Sequence, residues 1–412
     1  MTAREWWVLA LLVAAGCINY IDRGSLSIAA PLIRKEMNQT PAQIGVLLSA
    51  FFWTYATFQI VAGWLVDRYP VNRVMTIGFL IWSVATGATS LAGGFAAFFA
   101  LRILLGAGEA VAYPAFSKII TTSFPARHRG FTNALIDAGT RVGPAIGTLI
   151  GGLLVDDYGW RVLFLALGAG SLLWLVPWGI TGYRPPEPVA SSASSGVSYG
   201  EILRQRSAWG TFIALFCLNY GWYFLLTWLP TYLVEERHFT IRMMAILGSL
   251  PFWGSAFMSS LAGWVSDRLV ERGYSVTKVR KGFAAAGMLL CTSVMPAALV
   301  KDPMLALVLI SIAGLSLGLT TSNNWAITQT LAGASAAGKW TGAQNCFGNF
   351  AGVTAPYVTG VIVSATGSFY LAFVTVTIFL VLGAISYVFI IGPLHEVDWR
   401  ASRSPVRLSK DL

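Results

Sequence analysis

Apolar positions along this chain neither alternate with polar ones nor recur on a single helical stripe. They run together in stretches of about twenty residues, each long enough to cross a bilayer as a helix. Twelve such stretches can be marked, near 6–30, 41–66, 74–93, 95–122, 130–155, 162–182, 208–234, 243–266, 282–300, 304–331, 341–364 and 370–392. The longest polar break, "GYRPPEPVASSASSGVSYGEILRQR" at 182–206, is rich in Pro, Ser and charge and reads as a linker. It divides six spans from six. The pattern predicts an all-α integral membrane protein with an N-terminal six-helix bundle over 1–182, a cytoplasmic linker over 183–207, a C-terminal bundle over 208–392 and a cytoplasmic tail over 393–412. No break is long enough for a soluble domain with its own core.

The two halves repeat each other. "CINYIDR" at 17–23 returns as "CLNYGWY" at 217–223, and "GWLVDR" at 63–68 returns as "GWVSDR" at 263–268. Both matches have the same offset, and each falls at the same place in its half, so the bundles are read as related by duplication. Transporters are commonly built this way, with a binding site near the midplane and access alternating as one bundle rocks on the other.

Composition agrees. Of 412 residues, 56% are hydrophobic and 11% charged, with a mean hydropathy of +0.65, whereas a soluble chain would carry about a quarter charged residues. The net charge of +10 does not read as a nucleic-acid patch, because no folded basic module is present to display it. The basic residues gather instead on alternate loops, at Arg68, Arg73, Arg127, Arg129, Arg204, Arg206, Lys278, Arg280 and Lys281. This bias puts those loops, and both termini, on the cytoplasmic side.

Cys17, Cys217, Cys291 and Cys346 all lie in apolar spans without a CxxC or Cys/His cluster. They are expected to be small buried residues, and neither a disulfide nor a metal site is expected. "AAGC" at 14–17 imitates a signal-peptide or lipoprotein cleavage site. The apolar run continues past Cys17, so an uncleaved first helix is expected. His128, His238 and His395 stand far apart in loops. With no nucleophile–base pair, metal set or cofactor motif in view, an enzyme is not expected.

Charges inside the spans carry the candidate chemistry. Asp22 and Arg23 belong to span 1. Arg102 and Glu109, seven residues apart in span 4, lie on nearly one helix face. Each such charge costs about 2.5–3.5 kcal/mol at the bilayer centre on insertion scales, so four of them either line a pathway or form a buried ion-pair network. The second half brings neutral groups instead: Asn219, Tyr220, Asn323, Asn324, Gln344, Asn345 and Asn349. Amides and hydroxyls can orient a polyhydroxylated ligand or hold helices together. In span 5, "TNALIDAGTRVGPAIGTLIGG" at 132–152 adds Asp137 and Arg141 one turn apart, with Thr140 between them. Two readings stand for that pair: the partners satisfy each other, or they shape the pocket and its choice of substrate.

"NYIDRGSLSIAAP" at 19–31, "RILLGAGEAVAYPA" at 102–115 and "TGAQNCFGNFAGVTAP" at 341–356 together resemble the anion:cation symporter family of the major facilitator superfamily, most closely its bacterial proton-coupled carriers of sugar acids, of the galactonate type. The repeated GWxxDR resembles the superfamily's G-x-x-x-D-R signature, an inner latch between the halves, here Gly63, Asp67, Arg68 and Gly263, Asp267, Arg268. "YPVNR" after the first copy departs from the usual Gly and basic residues. The resemblance implies that Arg23 binds a substrate carboxylate with Tyr20 and Tyr55 beside it, that Asp22 and Glu109 carry protons, and that Arg102 pairs with Glu109. From their position among apolar residues, Arg23 and Arg102 together are expected to fix anion binding or its gating. Asn345 or Asn349, with Gln344 and Tyr220, would meet the substrate from the second half. The expected function is import of a small organic anion, such as an aldonate, aldarate or hexuronate, with protons. The expected setting is a bacterial inner membrane, with the chain working as a monomer. The alternative is a multidrug/proton antiporter, which the 16 Trp and 24 Phe keep open and to whose span 5 signature "GPAIGTLIGG" is loosely similar, while Arg23 weighs against it.

Overall fold

The computed structural model describes residues 1–180 and 197–399. Most of the expected linker, and the tail beyond 399, lie outside the described residues. Within them, twelve helices are long and apolar enough to span a membrane: α1 Ala3–Glu36, α2 Pro41–Arg68, α3 Val71–Leu91, α4 Phe95–Ser123, α5 Phe131–Tyr158, α6 Trp160–Ile180, α7 Arg206–Glu236, α8 Ile241–Glu271, α9 Val276–Leu299, α10 Pro303–Gly333, α11 Ser335–Thr366 and α12 Tyr370–Ile390. Every expected span is present.

Two boundaries differ from the hydropathy pattern in ways that matter. Helix α1 extends to Glu36 because Arg34, Lys35 and Glu36 end a helix whose start is fixed by a Thr2–Glu5 capping box. Asp22 and Arg23 therefore lie in its middle, buried, rather than near its end. Helices α10 and α11 meet without a loop. The chain reverses its helical path at Gly333, with φ +61° and ψ −177°. Only glycine adopts that backbone readily, and the side chain of Glu396 occupies the place where a Cβ would stand.

Backbone-to-backbone approaches set the helix positions. On α5, Gly139, Gly143 and Gly147 recur every fourth residue and face Val13, Cys17 and Ile21 of α1. The "GPAIGTLIGG" stretch is thus a packing face for α1, with a π-turn over Gly147–Gly151. On α4, Gly106 accepts the α2 backbone at Phe51 and Tyr55, and Gly108 faces Gly78 and Trp82 of α3. These contacts draw α1, α2, α3, α4 and α5 together around the buried charges.

After an even number of crossings the chain ends on the face where it began, the terminal face; the other is the far face. The halves meet toward the far face. There Ser27 Oγ donates to Leu226 O at 2.8 Å, Arg34 pairs with Glu235, and Arg242 pairs with Asp156 at 2.9 Å and Asp157 at 2.7 Å. The exposed pairs of Arg242 contribute about 0.2–1 kcal/mol each, and the Arg34–Glu235 pair is half-buried. The closer contact is glycine on glycine: a Cβ on Gly45 of α2 would stand 2.7 Å from Pro356 O and 3.1 Å from the Gly360 Cα of α11. The acids of the repeated GWxxDR, by contrast, pair within their own halves. Lys118 of α4 reaches Asp67 at 2.8 Å and Arg280 of α9 reaches Asp267 at 3.0 Å. Arg68 and Arg268 lie over Trp64 and Trp264 at 5.9 and 5.5 Å. Among the described residues nothing stands within 4 Å of where a Gly63 Cβ would point, while Gly263 faces Ser322 at 3.4 Å. No neighbouring helix therefore approaches Gly63 closely among the described residues in this state.

If the Gly45–Gly360 approach closes the far face, Gly45→Val should open it. A cysteine placed at Ser49, in a chain otherwise free of cysteine, should then be labelled faster from the far face by a membrane-impermeant maleimide. Unchanged labelling would show that this contact does not close the far face.

Candidate functional site

The buried charges of α1 and α4 meet midway through the first half. Asp22, Arg23, Arg102 and Glu109 are each at most 5% exposed. Arg23 Nη2 donates to Glu109 Oε2 at 3.2 Å and to Asn19 Oδ1 at 3.1 Å. Asn19 Nδ2 donates to the same Glu109 oxygen at 2.9 Å. Asn19 lies one helical turn before Arg23, so one amide serves both ions. The pair is one-sided: Arg23 Nε and Glu109 Oε1 are buried without hydrogen-bond partners.

Aromatic rings enclose the guanidinium. Its central carbon lies 4.6 Å from the Tyr20 ring, 4.9 Å from Phe51, 4.4 Å from Tyr55 and 5.8 Å from Phe52. Each desolvated cation–π contact contributes about 0.5–2 kcal/mol, which helps hold a cation that only one carboxylate oxygen meets. Tyr20 and Tyr55 thus stand beside Arg23, as the family resemblance implies.

Asp22 points the other way. It accepts hydrogen bonds from the Trp82 indole N–H of α3 and from Ser171 Oγ of α6 at 3.3 Å, leaving Oδ1 unpartnered. Arg102 departs from expectation. The ion pair of Glu109 is with Arg23, and Arg102 Nη2 is buried with no hydrogen-bond partner. Arg23 and Asn19 already occupy the Glu109 oxygen that faces α1.

In the second half the candidates divide. Tyr223 OH donates to Asn349 Oδ1 at 3.0 Å, and Asn349 Nδ2 donates to Asn345 O at 2.9 Å. The Tyr223 ring meets Phe52 of the first half at 4.5 Å, so Asn349 is tied to the wall of the Arg23 cage. Asn345 is half-buried on the preceding turn. Gln344 instead bonds Thr328 at 2.6 Å and Asn324 and Thr211, each at 3.3 Å. Tyr387 bonds Asn324 too, at 2.9 Å, making a network that joins α7, α10, α11 and α12. Tyr220 stacks on Phe379 of α12 at 4.2 Å. Gln344 is thus engaged inside its own bundle, whereas the Tyr220 hydroxyl is buried without a hydrogen-bond partner. Thr140 donates to Asp137 O at 2.7 Å on its own helix, and Arg141 lies 3.7 Å from Asp137.

Several site residues had no role assigned from sequence: Asn19, Phe51, Phe52, Trp82, Ser171, Trp222 and Tyr223. Two left a signal. Asn19 lies inside the repeated motif, and Tyr223 stands at the Arg23 position of the second copy. Trp82 and Ser171 left none, because nothing in their spacing points to Asp22.

Twelve helices in two related bundles, closed at one face around a buried charged cluster, define a membrane transporter. The chain belongs to the Major Facilitator Superfamily, whose sequence profile matches residues 12–356; it is not an enzyme. It is 30% identical to the "Probable galactarate/D-glucarate transporter" of Bacillus subtilis, over 96% of this chain and 94% of that protein. It is 32% identical to the "Probable sulfoacetate transporter" of Cupriavidus necator, over 95% and 94%, and 28% identical to the "D-galactonate transporter" of Escherichia coli, over 96% and 97%. The fold matches a bacterial homologue of the human lysosomal transporter Spinster, solved inward-facing and occupied, with a TM-score of 0.82, 19% identity and coverage of 94% and 97%.

Asn19→Ala would leave Glu109 and Arg23 each one buried hydrogen bond short. The expected loss is about 1–3 kcal/mol, read as a lower melting temperature of the purified protein. An unchanged melting temperature would show that the amide is not a structural bridge.

Proposed function

We propose that this transporter is a proton-coupled symporter that imports a small organic anion, a sugar acid, by alternating access. The observation that carries the reading is the half-satisfied Arg23: a guanidinium in an aromatic cage, held by one oxygen of Glu109 and with its Nε–H open. Arginine's planar fork suits a carboxylate. A proton on Glu109 cancels the competing negative charge and leaves the Arg23 charge to the incoming anion. Loss of that proton restores the competition and weakens the hold. Tyr20 and Tyr55 then offer phenols beside the bound carboxylate, and Asn345 and Asn349 offer amides from the other half. Asp22, held by Trp82 and Ser171 rather than by an arginine, is the second proton carrier. Arg102 supplies positive charge close to both acids.

The relatives support the substrate class, since the proteins it resembles are named for galactarate, glucarate, galactonate and sulfoacetate. A multidrug antiporter would instead be served by an apolar cavity without a caged arginine. The bias of basic residues makes the terminal face cytoplasmic, in a bacterial inner membrane, so this state opens inward. Residues 1–182 and 208–392 are the moving bundles, with 183–207 joining them, and Asp67 and Asp267 are latch residues for the state closed at the terminal face. If two protons accompany one monovalent anion, a potential of 100 mV adds about 2.3 kcal/mol to uptake.

In reconstituted vesicles, Glu109→Gln keeps shape but cannot titrate. It should still exchange labelled sugar acid in counterflow and should fail to accumulate it under an imposed proton gradient; accumulation at the wild-type level would remove Glu109 from coupling. If wild type itself ignores the gradient, proton symport is wrong.

Arg23→Lys keeps the charge and loses the fork. Uptake should fall at least about tenfold, the scale of one charge-assisted hydrogen bond, while the protein still reaches the membrane. Wild-type uptake would remove Arg23 from the binding site.

A further inference from the structure

The charged pair of α5 has no part in the scheme above, yet it faces the same space between the halves. The Arg141 guanidinium lies 5.7 Å from the ring of Trp222 in α7, so it reaches across the interface as well as toward Asp137 of its own helix. Trp222 precedes Tyr223, whose ring meets Phe52 at 4.5 Å, and Phe52 is part of the Arg23 cage at 5.8 Å. Tyr20 links the two arginines from the other side. Its ring lies over Arg23 at 4.6 Å, and its Cβ packs on α5 at Gly143, two residues past Arg141.

Asp137 satisfies Arg141 only in part, as an ion pair. Their closest approach is 3.7 Å, beyond the range of a hydrogen bond of about 2.7–3.2 Å. Arg141 Nε is buried without a partner. The Asp137 side chain is 50% exposed although it stands within a membrane-spanning helix, where contact with lipid would be costly, so it faces a hydrated space. Arg141, at 17%, borders that space with donor capacity left over.

We propose that Arg141 is a second anion subsite, and that the substrate carries an acidic group at each end, one for Arg23 and one for Arg141. This rests on the organic-anion reading of the Arg23 site and narrows it to dianions. Charge balance points the same way. The cluster holds three arginines, Arg23, Arg102 and Arg141, and three acids, of which Glu109 pairs with Arg23, Asp137 stands near Arg141 and Asp22 is held by Trp82 and Ser171. With protons on Asp22 and Glu109, the site carries three positive charges against one negative, an excess that a dianion neutralises and a monoanion does not. Asp137 then acts as the internal stand-in that keeps Arg141 in place when the site is empty.

The test is uptake by reconstituted vesicles of D-glucarate and galactarate, with a carboxylate at both ends, against D-gluconate and D-galactonate, where one end is a hydroxymethyl group. Wild type should prefer the dianions. Arg141→Gln should lower the ratio of dianion to monoanion uptake about tenfold or more, the scale of a lost charge-assisted hydrogen bond, and Arg141→Lys should fall between. Should Arg141→Gln fail to fold, Asp137→Asn provides an independent measurement: removal of the competing carboxylate should raise that ratio. An unchanged ratio in the Arg141→Gln or, failing that, the Asp137→Asn variant overturns the second subsite. Wild-type uptake of the monoanions alone also overturns it and leaves the organic-anion reading standing. Uptake of neither class removes both.

Discussion

The structure depends on how a guanidinium is kept inside a membrane. A lone charge there costs about 2.5–3.5 kcal/mol even on the mildest scale, and full pairing would lock it. Arg23 sits between these limits. One carboxylate oxygen, one amide and a cage of rings hold it, while its Nε–H finds no partner. The surrounding helices are arranged to make this state tolerable. The glycines of α5 bring α1 close, those of α4 bring α2 and α3, and the cage residues Phe51, Phe52 and Tyr55 come from the α2 segment that Gly106 allows to approach. A buried pair of this kind adds little net stability, because desolvation offsets most of its attraction. Its value on the proposed reading is that a proton or an anion can tip it.

Duplication explains the asymmetry of the two halves. The second copy keeps Cys217, Asn219 and Tyr220 but places Tyr223 where the first has Arg23. Tyr223 bonds Asn349 and packs against Phe52 of the cage. The ancestral position therefore faces the interface in both halves, charged in one and neutral in the other. Asn219, by contrast, turns to the Gly348 carbonyl within its own bundle at 3.0 Å, while Asn19 bridges ions. The same residue at the same place performs different work because its neighbours changed.

The sequence made the spans, the internal repeat and the charged cluster legible, for a physical reason. Apolar runs of bilayer length and isolated charges within them are both costly to produce by chance. Partners were less legible. Seven-residue spacing puts Arg102 and Glu109 on one face, yet Glu109 is held by Arg23 from another helix, and spacing along one helix says nothing of that. Gln344 and Tyr220 look like ligand groups in a list of polar residues. Only their packing shows Gln344 bonded to Thr211, Asn324 and Thr328, and Tyr220 stacked on Phe379. The end of α1 was obscured because Arg34, Lys35 and Glu36 read as loop, although a helix readily carries such residues at a membrane surface.

The proposed alternation between states requires that neither be held too firmly. The far-face seam joins the halves through the half-buried Arg34–Glu235 pair, through the exposed pairs of Arg242, each contributing about 0.2–1 kcal/mol, and through the backbone approach of Gly45 to Pro356 and Gly360. Glycine contacts carry no interdigitated side chains, so they can part without repacking a core. The acids of both GWxxDR copies pair inside their own halves, and among the described residues they give the terminal face no equivalent clasp in this state. A device with a weak seam at one face and no such clasp at the other has to place its decision elsewhere. The central cluster is suited to that task, since Arg23 and Glu109 on one side and the Phe52–Tyr223 contact on the other couple the occupancy of the site to the interface on which the halves turn.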